Sequence, residues 1–214
     1  FEDGIFPFGW TNYWRYPVGF DFSTGYDSTL LMLTGIFYYQ FFENPAMVYN
    51  ISVLTLLFLN AILSYIFFAK ITKRNELGIL GSLIYGFSFY TIARLGGHTN
   101  LILTASFPFL IYSLISLKER RGDIISFFIF SISVILIFLT SLQYLLILAA
   151  ATLLLIPVLI IFYKKDLIAY VRLFWNRGAY TLMSLSTIIG VFMFFNSQKL
   201  SMLLSGNISL FGSG

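Results

Sequence analysis

The chain has 214 residues, of which 58% are hydrophobic, 20% aromatic and only 10% charged. A soluble domain carries about 25% charged residues, so soluble enzymes, nucleic-acid-binding modules and disordered tails are poor fits. The chain has no Cys and one His. This excludes disulfides, thiol nucleophiles and Cys- or His-rich metal sites, although carboxylates could hold a divalent cation. Together with a mean hydropathy of +0.86, the composition indicates a multi-pass protein of the cell membrane.

Residues 1–45 differ from the rest of the chain. Five of the nine acids lie in this segment, and its one apolar stretch, Leu30–Phe42, is shorter than the about 20 residues that a helix needs to cross a bilayer. We predict an extracytoplasmic loop that carries a short interfacial or re-entrant helix. Nothing at the start resembles a signal peptide, so we expect at least one further transmembrane helix upstream.

Longer apolar runs follow at 46–69, 77–93, 99–117, 124–163 and 179–196. At about 1.5 Å per residue, the run 124–163 would form about 60 Å of helix, which is two bilayer cores. Its only polar cluster, Thr140–Tyr144, predicts a tight hairpin. The predicted fold class is therefore all-α, with a transmembrane helical bundle of about six spans over residues 46–198. Residues 199–214 are predicted to be an extracytoplasmic segment with an open end.

The distribution of charge agrees with this layout. Ten of the thirteen cations lie in the predicted loops 70–77, 118–123 and 164–177, and the rule that cytoplasmic loops are rich in Lys and Arg places these loops in the cytoplasm. The entry loop, the turn at 94–98 and the hairpin at 140–144 would then share the extracytoplasmic face.

The turn that holds Arg94 and His98 contains the most specific candidate site. A guanidinium and a titratable imidazole, separated by Gly96 and Gly97, could bind a phosphate or pyrophosphate. The alternative is that Arg94 extends to the lipid headgroups and that His98 caps the following helix.

Four acids of the entry loop are further candidates. Asp21 and Asp27 could bind a divalent cation or act as a general base toward an acceptor hydroxyl; otherwise they are simply solvated. Glu2 and Asp3 form an adjacent pair that is either catalytic or only part of a loop.

Aromatic and hairpin residues leave two readings open as well. Trp14 belongs to an aromatic cluster at 10–16, which is typical of an interfacial belt but would also stack on a sugar. Gln143 and Tyr144 either complete the predicted helical hairpin or contact a ligand.

The order of several short motifs resembles the GT-C superfamily of polytopic membrane glycosyltransferases, within it the bacterial YfhO-like and related archaeal proteins. The matching stretches are DGIFPFGW at 3–10, YPVGFD at 16–21, YGFSFY at 85–90 and GHTNL at 97–101, with Pro108 beyond them. The resemblance covers roughly residues 1–165. It implies an α-helical membrane fold with an extracytoplasmic active site that transfers a sugar from a polyprenyl-phosphate donor.

This resemblance also implies roles for the candidate residues. A catalytic acid early in the first outer loop would be Glu2 or Asp3, or an acid upstream of Phe1. Arg94 and His98 would bind the donor phosphate, and the other substrate-binding candidates are Asp21, Asp27, Trp14 and Tyr144. The alternatives are a transporter or channel subunit and a noncatalytic membrane assembly module. A transporter should carry ionisable residues near the centres of its spans, and the predicted spans have none.

Overall fold

The computed structural model describes residues 10–11, 20–21, 29–42, 44–95 and 102–204. Apart from one pair of two-residue strands, the regular structure in these ranges is helical. The strands β1 (Trp10–Thr11) and β2 (Phe20–Asp21) are antiparallel, with Trp10 opposite Asp21. The helices in these ranges are α1 (Thr29–Tyr39), α2 (Pro45–Thr72), α3 (Asn75–Gly86), α4 (Phe89–Leu95), α5 (Ser106–Glu119), α6 (Ile124–Thr140), α7 (Leu142–Phe162), α8 (Lys164–Asn176) and α9 (Gly178–Leu204).

The chain divides into two compact units at residues 26/27 and 188/189. The larger unit, residues 27–188, holds α1 to α8 and the first part of α9. The smaller unit contains the strand pair and the remainder of α9. The candidate residues whose side chains are described all lie in the larger unit.

The predicted all-α fold class is confirmed for the described residues, apart from the one pair of two-residue strands, and the length and composition of several helices fit a membrane protein. Among the described residues, α2 and residues 178–195 of α9 are long and apolar enough to cross a membrane. Two bent pairs add up to two more spans: α3 with α4, bent by 42°, and residues 146–162 of α7 with α8, bent by 112°. The structure therefore supports two to four spans, and the layout of six remains a prediction.

The long helix α2 shows how the sequence sets the ends of an element. Asn44 precedes it in an extended conformation, and its side-chain oxygen accepts hydrogen bonds from the backbone N–H groups of Ala46 and Met47 at 3.0 and 3.2 Å. Pro45 follows at the first helical position, where its missing N–H costs nothing. The helix ends at Thr72, and the next residue, Lys73, adopts the left-handed conformation with φ of 55°, a common way to end a helix.

Segment 164–177, predicted as a cytoplasmic loop, forms the helix α8 instead. Its sequence alternates cationic and apolar residues with a helical period, so a hydropathy window averages them to a polar value and misses the helix. Segment 77–93, predicted as one span, breaks at Phe87 and Ser88 between α3 and α4. The predicted hairpin at 140–144 contains a break at Ser141, whose backbone is extended.

The three basic loops meet at one end of the larger unit. Lys70 near the end of α2 pairs with Glu119 at the end of α5, and Lys118 pairs with Asp166 in α8 at 2.6 Å. The backbone oxygen of Arg121 accepts a hydrogen bond from the Arg177 side chain at 3.4 Å. We call this end of the larger unit the basic end. The meeting of the three segments there agrees with the prediction that they lie on one side.

Small residues allow α2 and α3 to pack closely. Gly78, Ser82 and Gly86 recur at every fourth position of α3 and are buried. A Cβ added to Gly78 would lie 2.7 Å from the Cβ of Ala69, and one added to Gly86 would lie 3.1 Å from the Cα of Ala61. Because Gly78 lies against Ala69 and Gly86 against Ala61, α3 runs antiparallel to α2. The chain therefore enters α4 moving away from the basic end.

Candidate functional site

The structure brings together two of the residues that the sequence singles out, Arg94 and Tyr144. They come from different helices, α4 and α7, and are 50 residues apart in the chain. Asp21 is described only through its backbone in β2. The other candidates lie outside the described residues: Glu2, Asp3, Trp14, Asp27 and His98.

Tyr144 lies in the first turn of α7 and is 3% exposed. Its hydroxyl lies within interaction range of Tyr90 in α4 and, more weakly, of the Arg94 guanidinium. Its ring packs against Phe107 with ring centres 4.9 Å apart. The break at Ser141 starts α7 at this point, and so it positions the phenol of Tyr144 against α4.

Arg94 lies in the last turn of α4, and its guanidinium carbon is 4.7 Å from the centre of the Tyr90 ring. Residues four apart share a helix face, so Tyr90 lies directly beneath Arg94. A guanidinium over an aromatic face is held by a cation–π interaction, typically worth about 0.5–2 kcal/mol. This contact fixes the direction of the Arg94 side chain, which is only partly buried.

Tyr90 is the member of this cluster that the sequence analysis did not single out. It occurs at the end of the stretch YGFSFY at 85–90, which was noted only for its resemblance to a family. The available signal was the spacing of four residues to Arg94, which places both on one helix face. We call Arg94, Tyr90 and Tyr144 the Arg–Tyr cluster.

A buried asparagine holds the elements that carry this cluster. Asn60, in the middle of α2, is completely buried. Its side-chain nitrogen donates to the backbone oxygen of Gly86 at 2.9 Å, and its side-chain oxygen accepts from the backbone N–H of Ala105 at 2.7 Å. Asn60 thereby connects the end of α3 and the start of α5 to α2, and α4 leaves the bundle from a fixed point.

Tyr85 reinforces the same connection. Its hydroxyl donates to the backbone oxygen of Thr104 at 3.3 Å, and the hydroxyl of Thr104 lies 3.4 Å from the side-chain oxygen of Asn60. Polar groups in a membrane interior must be satisfied within the protein. In the part of the chain that the structure describes, every buried side-chain nitrogen and oxygen has a hydrogen-bond partner, so this network is complete.

Chemically, the Arg–Tyr cluster is suited to bind an anion. A guanidinium presents several N–H donors that match phosphate geometry, and phenolic hydroxyls can add a further donor. The described residues contain no group of three or more His, Cys, Asp or Glu that could hold a metal ion; Asp27 lies outside them, so the divalent-cation hypothesis stays a prediction. No protein-family model matches the chain, and no curated protein or solved structure is significantly similar to it.

Proposed function

We propose that this chain is the membrane module of a GT-C-like glycosyltransferase, which transfers a sugar from a polyprenyl-phosphate-linked donor to an acceptor on the extracytoplasmic side. The observation that carries the proposal is the Arg–Tyr cluster. It offers a partly exposed guanidinium and phenolic hydroxyls to an anionic group in an otherwise apolar bundle. A lipid-linked donor needs such a site, because its only charge is at the phosphate.

The depth of the cluster suits a donor that stays in the membrane. The start of α5 is bound to Asn60 near the middle of α2, whereas the end of α5 pairs with Lys70 at the basic end. Phe107, in the first turn of α5, contacts Tyr144. The cluster therefore lies between the middle of the bundle and the end away from the basic loops, where a phosphate could reach it from the outer leaflet.

The lipid-facing surface of α7 suits a polyprenyl chain. Beyond Tyr144, this helix exposes large apolar side chains such as Leu153 and Leu154, which are 70% and 78% exposed. In a membrane such residues lie in acyl chains. A polyprenyl tail could follow the same surface while its phosphate binds at Arg94.

The reaction would proceed by displacement at the anomeric carbon of the sugar. A carboxylate, Glu2 or Asp3 or an acid upstream of Phe1, would take the proton of the acceptor hydroxyl as its oxygen bonds to that carbon. The bond between the anomeric carbon and the phosphate oxygen breaks, and polyprenyl phosphate leaves with the electron pair. Arg94 and His98 would stabilise the charge that develops on the phosphate.

The remaining candidates would act on the sugar and the acceptor. Trp14 would stack on a sugar face, and Asp21 and Asp27 would orient hydroxyls or hold a divalent cation near the phosphate. Tyr90 would hold the guanidinium of Arg94 and donate to the phosphate, and the buried Tyr144 would hold Tyr90 in place.

Among the described residues, the two helices that could each cross a membrane alone, α2 and residues 178–195, contain a single Asp, Glu, Lys or Arg, which is Lys70 near the end of α2. Intramembrane ionisable residues mark the ion and proton pathways of transporters. This observation favours the enzyme over the alternative of a transporter or channel subunit.

The six-span topology can be tested by cysteine labelling without background from native cysteines, because the chain has no Cys. We expect a single cysteine at Thr99 to react with a membrane-impermeant maleimide in intact cells, since the turn at 96–99 is predicted to be extracytoplasmic. A single cysteine at Lys118 should react only after permeabilisation. Reaction of both from the same side would contradict the six-span layout and the outer location of the site.

Replacing Arg94 should weaken donor binding. Arg94→Ala removes a charge-assisted contact, typically worth about 1.5–3 kcal/mol, so the affinity for polyprenyl phosphate should fall about tenfold or more. Tyr144→Phe should produce a smaller loss. His98→Ala should also weaken binding, and more below pH of about 6.5, where the imidazole is charged. The measurement is binding of labelled polyprenyl phosphate, and sugar transfer, by the full-length protein in nanodiscs.

Two variants separate this role from a purely structural one. Arg74→Ala removes an exposed arginine at the basic end, whose nearest carboxylate is 3.9 Å away, and should leave donor binding unchanged. If Arg94 only extends to the headgroups, Arg94→Lys should behave as the wild type. Unchanged binding and transfer by Arg94→Ala at normal expression would remove the Arg–Tyr cluster from the active site.

A further inference from the structure

A cavity of about 540 Å³ lies at the basic end, between the turn that follows α5 and the helix α8. Six residues line it: Arg121, Ala169, Arg172, Leu173, Asn176 and Arg177. Three of these are arginines, and none of the three belongs to the Arg–Tyr cluster. The cavity is therefore separate from the site of the proposed function.

The three arginines have no carboxylate partner among the described residues. The described carboxylate side chains are paired elsewhere: Glu119 with Lys70, Asp166 with Lys118, Asp123 with Arg120 and Glu76 with Arg74. The nearest of them along the chain, Asp123, is held by the Arg120 side chain and by the backbone N–H of Ser126, and these hydrogen bonds lower its pKa to about 2. Since an arginine stays charged at any physiological pH, the cavity presents three positive charges that these pairs do not neutralise.

The backbone around Arg121 keeps these charges together. Arg121 and Gly122 have positive φ values of 53° and 68°, which form a tight turn. A Cβ on Gly122 would lie 3.2 Å from side-chain atoms of both Arg177 and Leu173, so the turn lies directly against the end of α8. Arg177 also donates from Nε to the backbone oxygen of Arg121 at 3.4 Å.

Helix α8 has an apolar stripe beside the cavity. Ile168, Val171 and Trp175 recur at helical spacing and are 45%, 63% and 85% exposed. The opposite side of α8 packs on the bundle, where Tyr170 donates to the backbone oxygen of Leu114 at 3.1 Å and Phe174 contacts Phe127. The side that faces the cavity, with Arg172 and Asn176, lies next to the exposed stripe.

This arrangement is typical of a helix that lies in the membrane interface. Such a helix buries an apolar stripe among acyl chains and turns cationic residues toward anionic headgroups. Trp is enriched at this depth, and α8 turns by 112° from residues 146–162, as a helix leaving a span for the membrane surface would. A ligand in the cavity would thus have its charge at the arginines and its tail beside Trp175.

We infer that the cavity binds the phosphate group of an anionic membrane lipid at the basic end. A soluble phosphate shares the chemistry that the arginines recognise, but the apolar stripe beside them favours a phosphate that carries acyl chains. The inference does not depend on the glycosyltransferase proposal, because its residues and its end of the bundle are different.

The test is lipid binding by the full chain in detergent, measured by native mass spectrometry with added phosphatidylglycerol or phosphatidylcholine. We expect preferential binding of phosphatidylglycerol, and a loss of about tenfold in its affinity in Arg172→Gln and in Arg177→Gln, because each removes a charge-assisted contact. Lys165→Gln is the matched control: it removes one positive charge from the exposed surface of the same helix but does not line the cavity. The affinity of Lys165→Gln for phosphatidylglycerol should equal that of the wild type.

Three results would overturn the inference. The first is equal affinity for both lipids in the wild type, and the second is an equal loss in Lys165→Gln and Arg172→Gln, which would indicate a general effect of charge. The third is displacement of phosphatidylglycerol by inorganic phosphate at comparable concentration, which would show a site for a soluble anion. A tryptophan readout checks the position of α8 independently. With Trp10 and Trp14 replaced by Phe, Trp175 is the only tryptophan left, and its fluorescence in vesicles with brominated phosphatidylglycerol should be quenched both with the native arginines and in the arginine variants.

Discussion

Asn60→Leu is expected to destabilise the helical bundle by about 2–4 kcal/mol. The substitution removes both partners that the amide provides, so the buried N–H of Ala105 and the carbonyl of Gly86 lose their hydrogen bonds. Each buried polar group left unsatisfied costs about 1–3 kcal/mol, and no water is present in a membrane interior to replace the lost partner. The measurement is the free energy of unfolding, or the midpoint of thermal unfolding, of the purified protein in one detergent.

Ser64→Ala is the matched control for this prediction. Ser64 lies one turn further along α2 and is also completely buried, but its hydroxyl donates only to the carbonyl of Asn60 within the same helix, at 2.8 Å. Its removal leaves no donor of another element unsatisfied, so a loss below about 1 kcal/mol is expected. Equal losses in the two variants would mean that Asn60 does not connect α3 and α5 to α2.

Asn60 also affects the candidate site. Because α4 begins three residues beyond Gly86, a shift of Gly86 moves Tyr90 and Arg94 relative to Tyr144. Asn60→Leu should therefore also weaken polyprenyl-phosphate binding by the folded protein, although Asn60 itself does not contact the ligand. Asn60→Asp keeps the acceptor for Ala105, and a protonated carboxyl group could also donate to Gly86, whereas an ionised one loses that donor and buries a charge. Its stability should therefore lie between those of the wild type and Asn60→Leu only if the carboxyl group is protonated.

The parts of the fold that depend on sequence-local chemistry were predictable. The apolar run 46–69 lies within α2, and the short apolar stretch Leu30–Phe42 overlaps α1 except for its first residue. The polar cluster at 140–144 marks the break between α6 and α7, which lies at Ser141, where the backbone is extended. The three basic loops, grouped from their charge alone, meet at one end through the pairs of Lys70 and Lys118 with acids of other helices.

Features that depend on distant partners could not be predicted. A lone Asn in an apolar run gives no sign that its partners are 26 and 45 residues away. Helix α8 was not predicted, because its apolar and cationic residues cancel in a hydropathy average. The span predicted at 99–117 is shorter as a helix, since residues 102–105 form a turn held by Asn60 and α5 begins only at Ser106.

For the candidate site, the sequence predicts that Arg94 and Tyr144 lie on the same, extracytoplasmic side of the membrane. It does not predict that the two residues lie close together. Their contact runs through Tyr90, and it depends on the bend between α3 and α4 and on the start of α7. The bend cannot be derived from the spacing of residues, and the polar cluster at 140–144 places the break before α7 without showing which residues Tyr144 meets. The roles of Glu2, Asp3, Trp14, Asp21, Asp27 and His98 stay predictions.

Gly78→Ala is expected to destabilise the packing of α2 on α3 despite the higher helix propensity of Ala. The new Cβ would lie 2.7 Å from the Cβ and 3.0 Å from the Cα of Ala69, and backbone atoms cannot move aside as a flexible side chain can. Forcing an extra methyl group into a packed contact costs about 1–3 kcal/mol, which exceeds the gain of about 1 kcal/mol from helix propensity. Gly78→Val should cost more.

Two further variants isolate the contact. Gly190→Ala makes the same change in α9 where nothing lies within 4 Å, so it should be neutral or slightly stabilising. Adding Ala69→Gly to Gly78→Ala returns the space for one methyl group, so the double variant should recover most of the lost stability. Unfolding midpoints in detergent provide the measurement. If Gly78→Ala is as stable as Gly190→Ala, or if Ala69→Gly fails to restore it, then the two helices do not approach each other through Gly78, and the close α2–α3 packing that directs α4 toward Tyr144 is wrong.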